Sequence, residues 1–549
     1  YELAPFGIWK LGFGIFPALA FMASDVFITH LGNLNIVAVS SYLPLIFLCL
    51  RRALTSNLQH SHTPTPPHLP LKWSVLAGVS LGLATLAGHA QMTFIIVFAC
   101  ACYGLYELIR QRSLRVLFLG ALSALVAFGI AAIALLPALE MLRYTARSAL
   151  DYAEASRWSL PPLGLAGMIS PLVFGRGARD FWPPWDRVEF GYMGVVALTI
   201  ALLPLLSSAF WRRDKPGAGL GIWLLGFGIF SLFIAFGKYS PVHGLLYQYI
   251  PGFSSIRVPA RFILLTNFSL AILSGYALAA LPPLSALSRS GRGRAGVGVG
   301  IWTLGFGIFS TALLITADLS FGRQPAWQPI AITLALIALT GILIYRAPRY
   351  LSLLLFLELF FFGGFVEIDR GDPNAGYKRG PAVEYLLSQP GPTRIDLATA
   401  QWQPDAPTVF GLESITGLSN PLALAAYDRY YWSVGYRGSP QYNFLNAQFV
   451  VADKNSPPAD YTFVPVFNED PDVDVYLNTN AMPRVSLIYD PIFVADPDTA
   501  FAAIHATTFN PASQVVLESQ LPDYSPTRQR DYSPNNFYPD YRPGQCTGV

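Results

Sequence analysis

Residues 116–139 read VLFLGALSALVAFGIAAIALLPAL and contain no charged side chain. A helix needs ~20 predominantly apolar residues to cross the hydrocarbon core of a bilayer, so this stretch predicts a membrane-spanning helix. Similar stretches recur between residues 3 and 366. The whole chain has 549 residues, of which 53% are hydrophobic and 13% are charged, and its mean hydropathy is +0.42. Soluble domains carry about 25% charged residues, so the composition predicts a polytopic α-helical membrane protein.

We predict about eleven transmembrane helices, at residues 3–24, 36–50, 73–87, 92–109, 116–139, 191–210, 221–236, 262–282, 297–317, 328–345 and 350–366. Every second connection carries positive side chains, at Arg51, Arg52, Lys72, Arg110, Arg112, Arg115, Arg212, Arg213, Lys215, Arg289, Arg292, Arg294, Arg346 and Arg349. The short loops among the intervening connections are nearly free of Lys and Arg. The positive-inside rule places those connections in the cytoplasm. The loops 25–35, 88–91, 140–190, 237–261 and 318–327, and the chain after residue 367, are therefore expected on the extracytoplasmic side.

The composition changes at Glu367, where the long apolar stretches stop and Pro, Asp, Asn and Tyr become frequent. We divide the chain into a transmembrane domain (1–366), an extracytoplasmic α+β domain (367–522) and an irregular tail (523–549). Residues 394–399, 447–452 and 485–489 are typical of strands, and 382–388 and 498–506 of short helices.

Charge and cysteine content exclude several classes of function. The net charge of +3 is too small to indicate a nucleic-acid partner. The four cysteines, Cys49, Cys100, Cys102 and Cys546, do not have the spacing of a metal site. We therefore expect neither a zinc site nor a disulfide framework.

A ten-residue segment occurs three times, as GIWKLGFGIF (7–16), GIWLLGFGIF (221–230) and GIWTLGFGIF (300–309). The flanking sequences do not match, so the repeat does not indicate a repeated architecture. One interpretation is close helix packing at Gly226 and Gly228. The other is recent copying of the segment without a functional meaning.

Polar side chains concentrate at the predicted outer ends of the helices. They are Asp25, His30, Asn33, Asn35, His89, Gln91, Glu140, Arg143, Arg147, Glu189, Tyr192, Lys238, Tyr239, Arg257 and Arg261. Polar groups near hydrocarbon are costly and are functional candidates. Arginine suits phosphate recognition and a carboxylate can serve as a general base. Each group also has a structural interpretation: His89 can cap a turn, and Glu140 can pair with Arg143 on one helix face.

Several stretches resemble, in order, the YfhO-like bacterial membrane proteins. They are HLGNLNIVAVSSYLPLIFL (30–48), LAGHAQMTF (86–94), LLPALEMLRYTARS (135–148), VEFGYMGVVAL (188–198), KYSPVHGLLYQYIPGFSSIRVPARF (238–262) and VFGLESITGLSNPLALAAYDRYY (409–431). Further matches are FLNAQFVVAD (444–453), NTNAMPRVSLI (478–488) and DPDTAFAAIHATTFNPASQVVLES (496–519), so the resemblance covers nearly the whole chain.

That family is similar to the GT-C glycosyltransferase superfamily. The resemblance implies an enzyme in the bacterial cytoplasmic (inner) membrane that moves a sugar from a polyprenyl-phosphate donor to an extracytoplasmic acceptor. It carries over His89, Gln91, Arg143, Tyr192, Arg257 and Arg261 as substrate-binding candidates. It leaves a divalent metal open and indicates no other cofactor.

The catalytic residue is harder to predict. Enzymes of this superfamily usually carry their catalytic acid in the first outer loop, and in YfhO-like proteins that region precedes the part that matches residues 17–35. Here that region would fall before Tyr1, so the usual acidic loop is absent from this chain. Either the chain is incomplete and the natural N-terminus lies before Tyr1, or this member has lost the base. Within the chain, Asp25, Glu140 and Glu189 are the catalytic candidates.

Two other classes of function stay open. One is a non-catalytic scaffold or accessory subunit, which would contact other membrane subunits and bind a partner or a glycan through the outer domain. The other is a transporter, which is disfavoured because Glu358 is the one charged residue in mid-span and inverted repeats are not evident.

Overall fold

The computed structural model describes residues 9–55, 68–145, 150–174, 190–206, 218–280, 289–363, 372, 374–417, 423–459 and 462–518. The chain divides into two compact units, Tyr1–Arg370 and Gly371–Val549.

The first unit is helical in the residues described. Its helices, numbered in chain order, are α1 (Trp9–Met22), α2 (Asp25–Ile28), α3 (Leu34–Ser41), α4 (Leu43–Thr55), α5 (His68–Leu86), α6 (Ala90–Gln111), α7 (Leu114–Leu142), α8 (Tyr152–Ala155), α9 (Leu165–Ile169), α10 (Val195–Leu202), α11 (Ala218–Ala235), α12 (Pro241–Tyr249), α13 (Ile263–Ala280), α14 (Arg289–Ser320), α15 (Trp327–Arg346) and α16 (Leu351–Gly363). Short 3-10 turns at Gly237–Tyr239, Phe253–Ser255 and Pro259–Phe262 link α11 to α13 around α12.

Seven stretches of the described residues are long and apolar enough to cross a membrane. They are Leu34–Thr55, Leu69–Leu86, Ala90–Gln111, Leu114–Leu142, Pro259–Ala279, Gly296–Ser320 and Trp327–Arg346. Two shorter apolar helices, Val195–Leu205 and Gly219–Ala235, match the spans predicted at 191–210 and 221–236. The predicted first and last spans match α1 and α16, which have 14 and 13 residues. The count of eleven spans stays a prediction.

Small residues let α5 and α7 approach closely. A Cβ on Gly78 would lie 2.5 Å from the carbonyl oxygen of Ser123, and a Cβ on Gly82 would lie 2.8 Å from the Cβ of Ile130. One turn before Gly78, Ser74 accepts a hydrogen bond from the Ser123 hydroxyl at its carbonyl oxygen, 2.9 Å away. Small residues four apart, with a hydroxyl bond beside them, are the usual device by which helices pack inside a membrane.

The repeated ten-residue segment lies within α1, α11 and α14, apart from its first two residues in the first copy. In the second copy a Cβ on Gly228 would lie 3.1 Å from the Cβ of Ser269, whereas Gly226 has open space around it. In the third copy a Cβ on Gly307 would lie 3.2 Å from Leu334, and Gly305 is open. Close packing therefore involves the later glycine of these two copies, and the predicted role of Gly226 is wrong.

The second unit combines helices and strands. Its helices are α17 (Pro381–Leu387), α18 (Ala406–Phe410), α19 (Ala425–Ser433), α20 (Pro440–Phe444) and α21 (Pro497–Ile504), and its strands are β1 (Arg394–Ala398), β2 (Glu413–Ser414), β3 (Phe449–Asp453), β4 (Phe463–Phe467), β5 (Val473–Asn478), β6 (Asp490–Phe493) and β7 (Gln514–Leu517). The five-stranded sheet has the order β2-β1-β3-β5-β4, with β1 parallel to β2 and β3, and β5 antiparallel to β3 and β4.

Two apolar clusters cover opposite faces of this sheet, because side chains alternate along a strand. Ile395 of β1 belongs to the cluster that includes α17 and α18, together with Val451 and Val475. The next position in β3, Val450, belongs to the cluster that includes Tyr442 of α20.

The predicted strand at 485–489 is wrong. Strand β6 begins one residue later, at Asp490, and pairs in parallel with β7. Val485, Leu487 and Tyr489 are 83%, 80% and 74% exposed. The alternation of apolar residues is present, but these residues have no strand beside them among the described residues.

Candidate functional site

Gln91 joins the start of α6 to the segment that precedes α13. Its side-chain Nε2 donates hydrogen bonds to the carbonyl oxygens of Arg257 and, at 3.2 Å, of Val258. Its Oε1 accepts a hydrogen bond from Arg261 Nη1 at 2.9 Å. Gln91 is buried, and these bonds satisfy both the donor and the acceptor end of its side-chain amide. The structure therefore brings together three of the predicted binding residues, Gln91, Arg257 and Arg261.

The segment held by Gln91 has an unusual backbone. Val258 adopts φ +62°, a left-handed conformation that is uncommon for a β-branched residue. Pro259 then begins the 3-10 turn that carries Arg261. Such conformations persist where the surroundings impose them, and they concentrate at functional sites. The Gln91 bonds on both sides of Val258 provide that constraint.

Arg257 points to a second group of side chains, on and after α8. Its Nη1 lies 3.0 Å from Glu154 Oε1, and its guanidinium lies 5.0 Å from the ring centre of Trp158. Arg157 stacks on the same ring at 4.5 Å and reaches the other Glu154 oxygen at 3.5 Å. Asp151 orders α8 by accepting the Glu154 amide hydrogen at 2.7 Å. We call Glu154, Arg157, Trp158 and Arg257 the arginine cluster.

The arginine cluster carries two guanidinium groups and one carboxylate, and Arg261 is bonded beside it. The side chain of Arg157 is 56% exposed, whereas that of Arg257 is 21% exposed. Glu154, Arg157 and Trp158 are not among the residues predicted from the sequence. The local signal was an arginine next to a tryptophan in the longest predicted outer loop. A partly buried guanidinium, with the exposed N–H groups of a second guanidinium beside it, can bind a phosphate through two parallel hydrogen bonds.

His89 caps the turn before α6. Its Nδ1 accepts the Met92 amide hydrogen at 3.1 Å, and Gly88 before it has φ +87°. The structural interpretation of His89 as a cap therefore describes its local contact. The neighbouring Gln91 has the longer reach, to residues that follow it by 166 to 170 positions.

Asp25 and Glu358 hold the segment before α10 from two sides. The Asp25 carboxylate accepts the amide hydrogens of Phe190 (3.2 Å) and Gly191 (3.3 Å). The Asp25 amide donates to the Tyr192 carbonyl oxygen at 2.6 Å. Tyr192 in turn donates its hydroxyl to Glu358 Oε1 at 2.6 Å. Both carboxylates and the tyrosine are buried.

Glu358 also binds the first turn of α10. Its Oε1 accepts the Val195 amide hydrogen at 2.6 Å, and its Oε2 accepts that of Val196 at 3.2 Å. These N–H groups have no partner within the helix, and the positive end of the helix dipole favours a carboxylate there. Glu358 therefore attaches α16 to α10. We call Asp25, Tyr192 and Glu358 with these amides the carboxylate clamp.

The remaining predicted acids lie elsewhere. Glu140 and Arg143 are exposed at the end of α7, and no ion pair joins them in the part of the chain described. Glu189 lies outside the described residues. Among the described residues, no group of three His, Cys, Asp or Glu side chains is placed to hold a metal ion.

His243 is buried in α12, in the segment that connects α11 to α13. Its ring lies 5.7 Å from the ring of Tyr152 and 6.4 Å from that of Phe253. Its Nδ1 has no hydrogen-bond partner among the described residues. Burial lowers the pKa of His243 to about 4 and raises the pKa of Tyr152. His243 is therefore neutral at pH 7.

Comparisons with known proteins found no matching family model and no matching curated protein. The crystal structure of ArnT from Cupriavidus metallidurans bound to undecaprenyl phosphate aligns with a TM-score of 0.32, at 15% identity, over 88% of this chain and 87% of that chain. The apo structure of the same protein aligns with a TM-score of 0.29, at 16% identity, over the same shares. TM-scores this low assign neither a fold nor an activity to this chain.

Proposed function

We propose that this chain is a membrane glycosyltransferase-like protein that binds a polyprenyl-phosphate-linked sugar and transfers the sugar to an extracytoplasmic acceptor. It belongs to the bacterial cytoplasmic (inner) membrane, and its C-terminal unit faces outward. The ordered resemblance to YfhO-like proteins supports this proposal, as does the charge pattern of the connections.

The observation that carries the proposal is the arginine cluster. Arg257 is fixed at its backbone by Gln91 and at its side chain by Glu154 and Trp158. A guanidinium held in this way loses little conformational entropy when it binds a phosphate. Arg157 adds an exposed guanidinium on the same ring. The excess of positive charge over Glu154 favours an anionic ligand.

The transfer step needs two groups from the protein, a base for the acceptor hydroxyl and a cation for the leaving phosphate. The acceptor hydroxyl oxygen forms a bond to C1 of the sugar, a base takes the hydroxyl proton, and the bond from C1 to the phosphate oxygen breaks. The polyprenyl phosphate leaves with the electron pair, and the configuration at C1 inverts. Arginines that bind the phosphate stabilise the charge that develops on it.

Asp25 is poorly suited to be the base. It is buried and already accepts two amide hydrogens. Glu154 is occupied by Arg257 and Arg157. Glu140 is exposed, and it remains a candidate together with Glu189.

The engaged state of Asp25 favours a second candidate function, a non-catalytic accessory subunit. Such a subunit would bind the lipid phosphate through the same arginines and present it to another membrane subunit. A divalent metal is not needed for that role. The two candidates differ in one measurable property, the release of polyprenyl phosphate in the presence of an acceptor.

The binding claim can be tested with full-length protein in lipid nanodiscs and polyprenyl phosphate as the probe. Arg157→Gln should raise the Kd about tenfold, because one charge-assisted interaction worth about 1.4 kcal/mol is lost. Arg157 is exposed, so the variant should fold normally. Arg257→Gln should have a larger effect.

Arg349→Gln is the matched control. Arg349 also stacks on an aromatic ring, that of Tyr350 at 4.8 Å, but it lies in a predicted cytoplasmic connection. Polyprenol without the phosphate is the matched ligand control. Equal affinity in the Arg157→Gln, Arg257→Gln and Arg349→Gln variants would contradict the proposed site.

A further inference from the structure

A buried carboxylate lies on one face of the five-stranded sheet in the second unit. Asp396 of β1 is 2% exposed. Its Oδ2 accepts hydrogen bonds from Arg437 Nε at 2.6 Å and from the Tyr442 hydroxyl at 2.9 Å. Its Oδ1 is also buried and has no hydrogen-bond partner in the described part of the chain. A buried acceptor without a donor costs about 1–3 kcal/mol, so the bonds from Arg437 and Tyr442 to the other oxygen are what hold this carboxylate in the unit.

Arg437 reaches Asp396 from a structured loop that follows α19. Gly435 and Gly438 flank it with φ +76° and +94°, which glycine adopts without strain. The Ser439 hydroxyl closes the loop by donating to the Val434 carbonyl oxygen at 2.7 Å. The Arg437 side chain is 41% exposed, and its Nη groups make no hydrogen bond to the described residues. The aspartate thus fixes the guanidinium and leaves N–H donors facing outward.

Aromatic side chains of α19 and of the loop that follows it precede Arg437 in the chain. On α19 the rings of Tyr427 and Tyr431 stack at 6.3 Å, and Tyr431 meets Trp432 edge-on at 5.4 Å. Tyr431 packs against the same apolar cluster as Tyr442, whose hydroxyl donates to Asp396. Trp432 is 77% exposed and Tyr436, next to Arg437, is 66% exposed. The Trp432 ring is held by a hydrogen bond from its Nε1 to Asp428 at 3.1 Å.

We propose that Trp432, Tyr436 and Arg437, with Asp396 beneath them, form a saccharide-binding site. A sugar ring has an apolar C–H face, which packs on exposed aromatic rings, and a rim of hydroxyl groups. Each hydroxyl both donates and accepts hydrogen bonds. The Nη groups of Arg437 supply donors to the hydroxyl oxygens, and Asp396 holds the guanidinium in place from beneath.

The polar groups favour a saccharide over a lipid surface. Exposed Trp and Tyr alone are also typical of the membrane interface. A lipid interface, however, gives no use to a guanidinium that a buried aspartate holds in one orientation with its Nη donors facing outward. A few placed polar groups beside aromatic rings are the usual composition of a small-ligand site. The site lies wholly in the second unit and does not depend on the proposed transferase function.

The test uses the full chain in nanodiscs that contain no sugar-based detergent. Cellotetraose, chitotetraose and a mannose tetramer are titrated, and binding is followed by saturation-transfer NMR and calorimetry. We expect at least one tetramer to bind with a Kd below about 1 mM. Trp432→Ala and Arg437→Gln should each weaken that binding at least tenfold, and Tyr436→Ala should weaken it less.

Two control variants separate this site from general effects. Arg429→Gln removes an arginine of the same helix that pairs with Asp498 at 2.6 Å. Tyr489→Ala removes an exposed aromatic ring elsewhere in the unit. Both should bind the sugar as the wild type does. Because Trp432 is exposed, Trp432→Ala should keep the wild-type melting temperature, and that is measured in parallel.

Three results would overturn the inference. The first is that none of the three tetramers binds. The second is that Trp432→Ala binds as tightly as the wild type. The third is that Trp432→Ala instead reduces association of the protein with added liposomes, which would assign the rings to a lipid surface.

Discussion

Replacing Glu358 should destabilise the first unit more than replacing any exposed residue does, because this one buried carboxylate joins α16, Tyr192 and the first turn of α10. Glu358→Ala removes the acceptor of two hydrogen bonds of 2.6 Å and one of 3.2 Å. A buried donor that loses its acceptor costs about 1–3 kcal/mol. Counting the donors of the two short bonds alone gives a loss of about 2–6 kcal/mol in the free energy of unfolding.

Glu358→Gln separates the hydrogen bonds from the shape of the side chain. The amide keeps one acceptor oxygen, but its NH₂ group would face the Val196 amide hydrogen. We expect a smaller loss, of about 1–3 kcal/mol. Tyr192→Phe removes one of the short bonds and leaves Glu358 bonded to α10, so it should cost about 1–2 kcal/mol.

The free energy of unfolding can be measured in bicelles by titration with a denaturing detergent. Glu140→Ala serves as the control, because Glu140 is exposed on α7 and surface changes usually stay within about 0.5 kcal/mol. A Glu358→Ala variant within about 1 kcal/mol of the wild type would refute the carboxylate clamp.

Three more predictions concern the segments that connect the long helices of the first unit. Gln91→Ala should lower the free energy of unfolding by about 2–4 kcal/mol and also raise the Kd for polyprenyl phosphate, because it frees the backbone of Arg257. His89→Ala removes a helix cap, so it should lower the free energy of unfolding by about 1 kcal/mol and leave the Kd unchanged. The reverse ranking of the two variants would contradict the site. Gly191→Ala should reduce the amount of folded protein, since Gly191 has φ +75° and a Cβ there would overlap the side chain of Ile263; normal yield would show that the segment can move. Burial lowers the pKa of His243 from 6.5 to about 4, so the unfolded state binds the proton first and the free energy of unfolding should fall by about 3 kcal/mol as the pH drops from 6.5 to 4. His243→Phe should remove this part of the pH dependence of stability. An unchanged pH dependence in that variant would contradict the role given to His243.

The sequence was sufficient for features that depend on local composition. Apolar length predicted the helices that are long enough to cross a membrane, such as Leu114–Leu142. Residues 394–399 and 447–452 were predicted as strands and correspond to β1 and β3. These features follow from hydrophobicity and periodicity within short windows.

Features that depend on distant contacts could not be predicted. Gln91 was selected as a polar residue at a turn, but its partners lie at least 166 positions away. Glu358 stands out in the sequence only as a charged residue in mid-span, and its partners Tyr192 and α10 lie 163 to 166 positions away. Glu154 gave no local signal, because its role depends on Arg257 in another loop. Residues 485–489 show the opposite case, in which a local strand pattern has no neighbouring strand.

The two candidate functions differ in what happens to the lipid after binding. Both require the arginines to hold polyprenyl phosphate, but only transfer releases it from the sugar. The catalytic candidates Glu140 and Glu189 matter only in the first case. Measuring binding alone therefore tests the site, and measuring turnover tests the function.

The most direct measurement is the release of polyprenyl phosphate from full-length protein in nanodiscs. The protein is supplied with polyprenyl-phosphate-linked glucose, mannose or N-acetylglucosamine and with a bacterial cell-envelope fraction as the source of acceptor. The account predicts that the wild type releases polyprenyl phosphate from one of these donors, and that Arg257→Gln releases it at least tenfold more slowly while Arg349→Gln does not differ from the wild type. Tight binding of every donor without release from any of them would contradict the transferase and leave the accessory subunit.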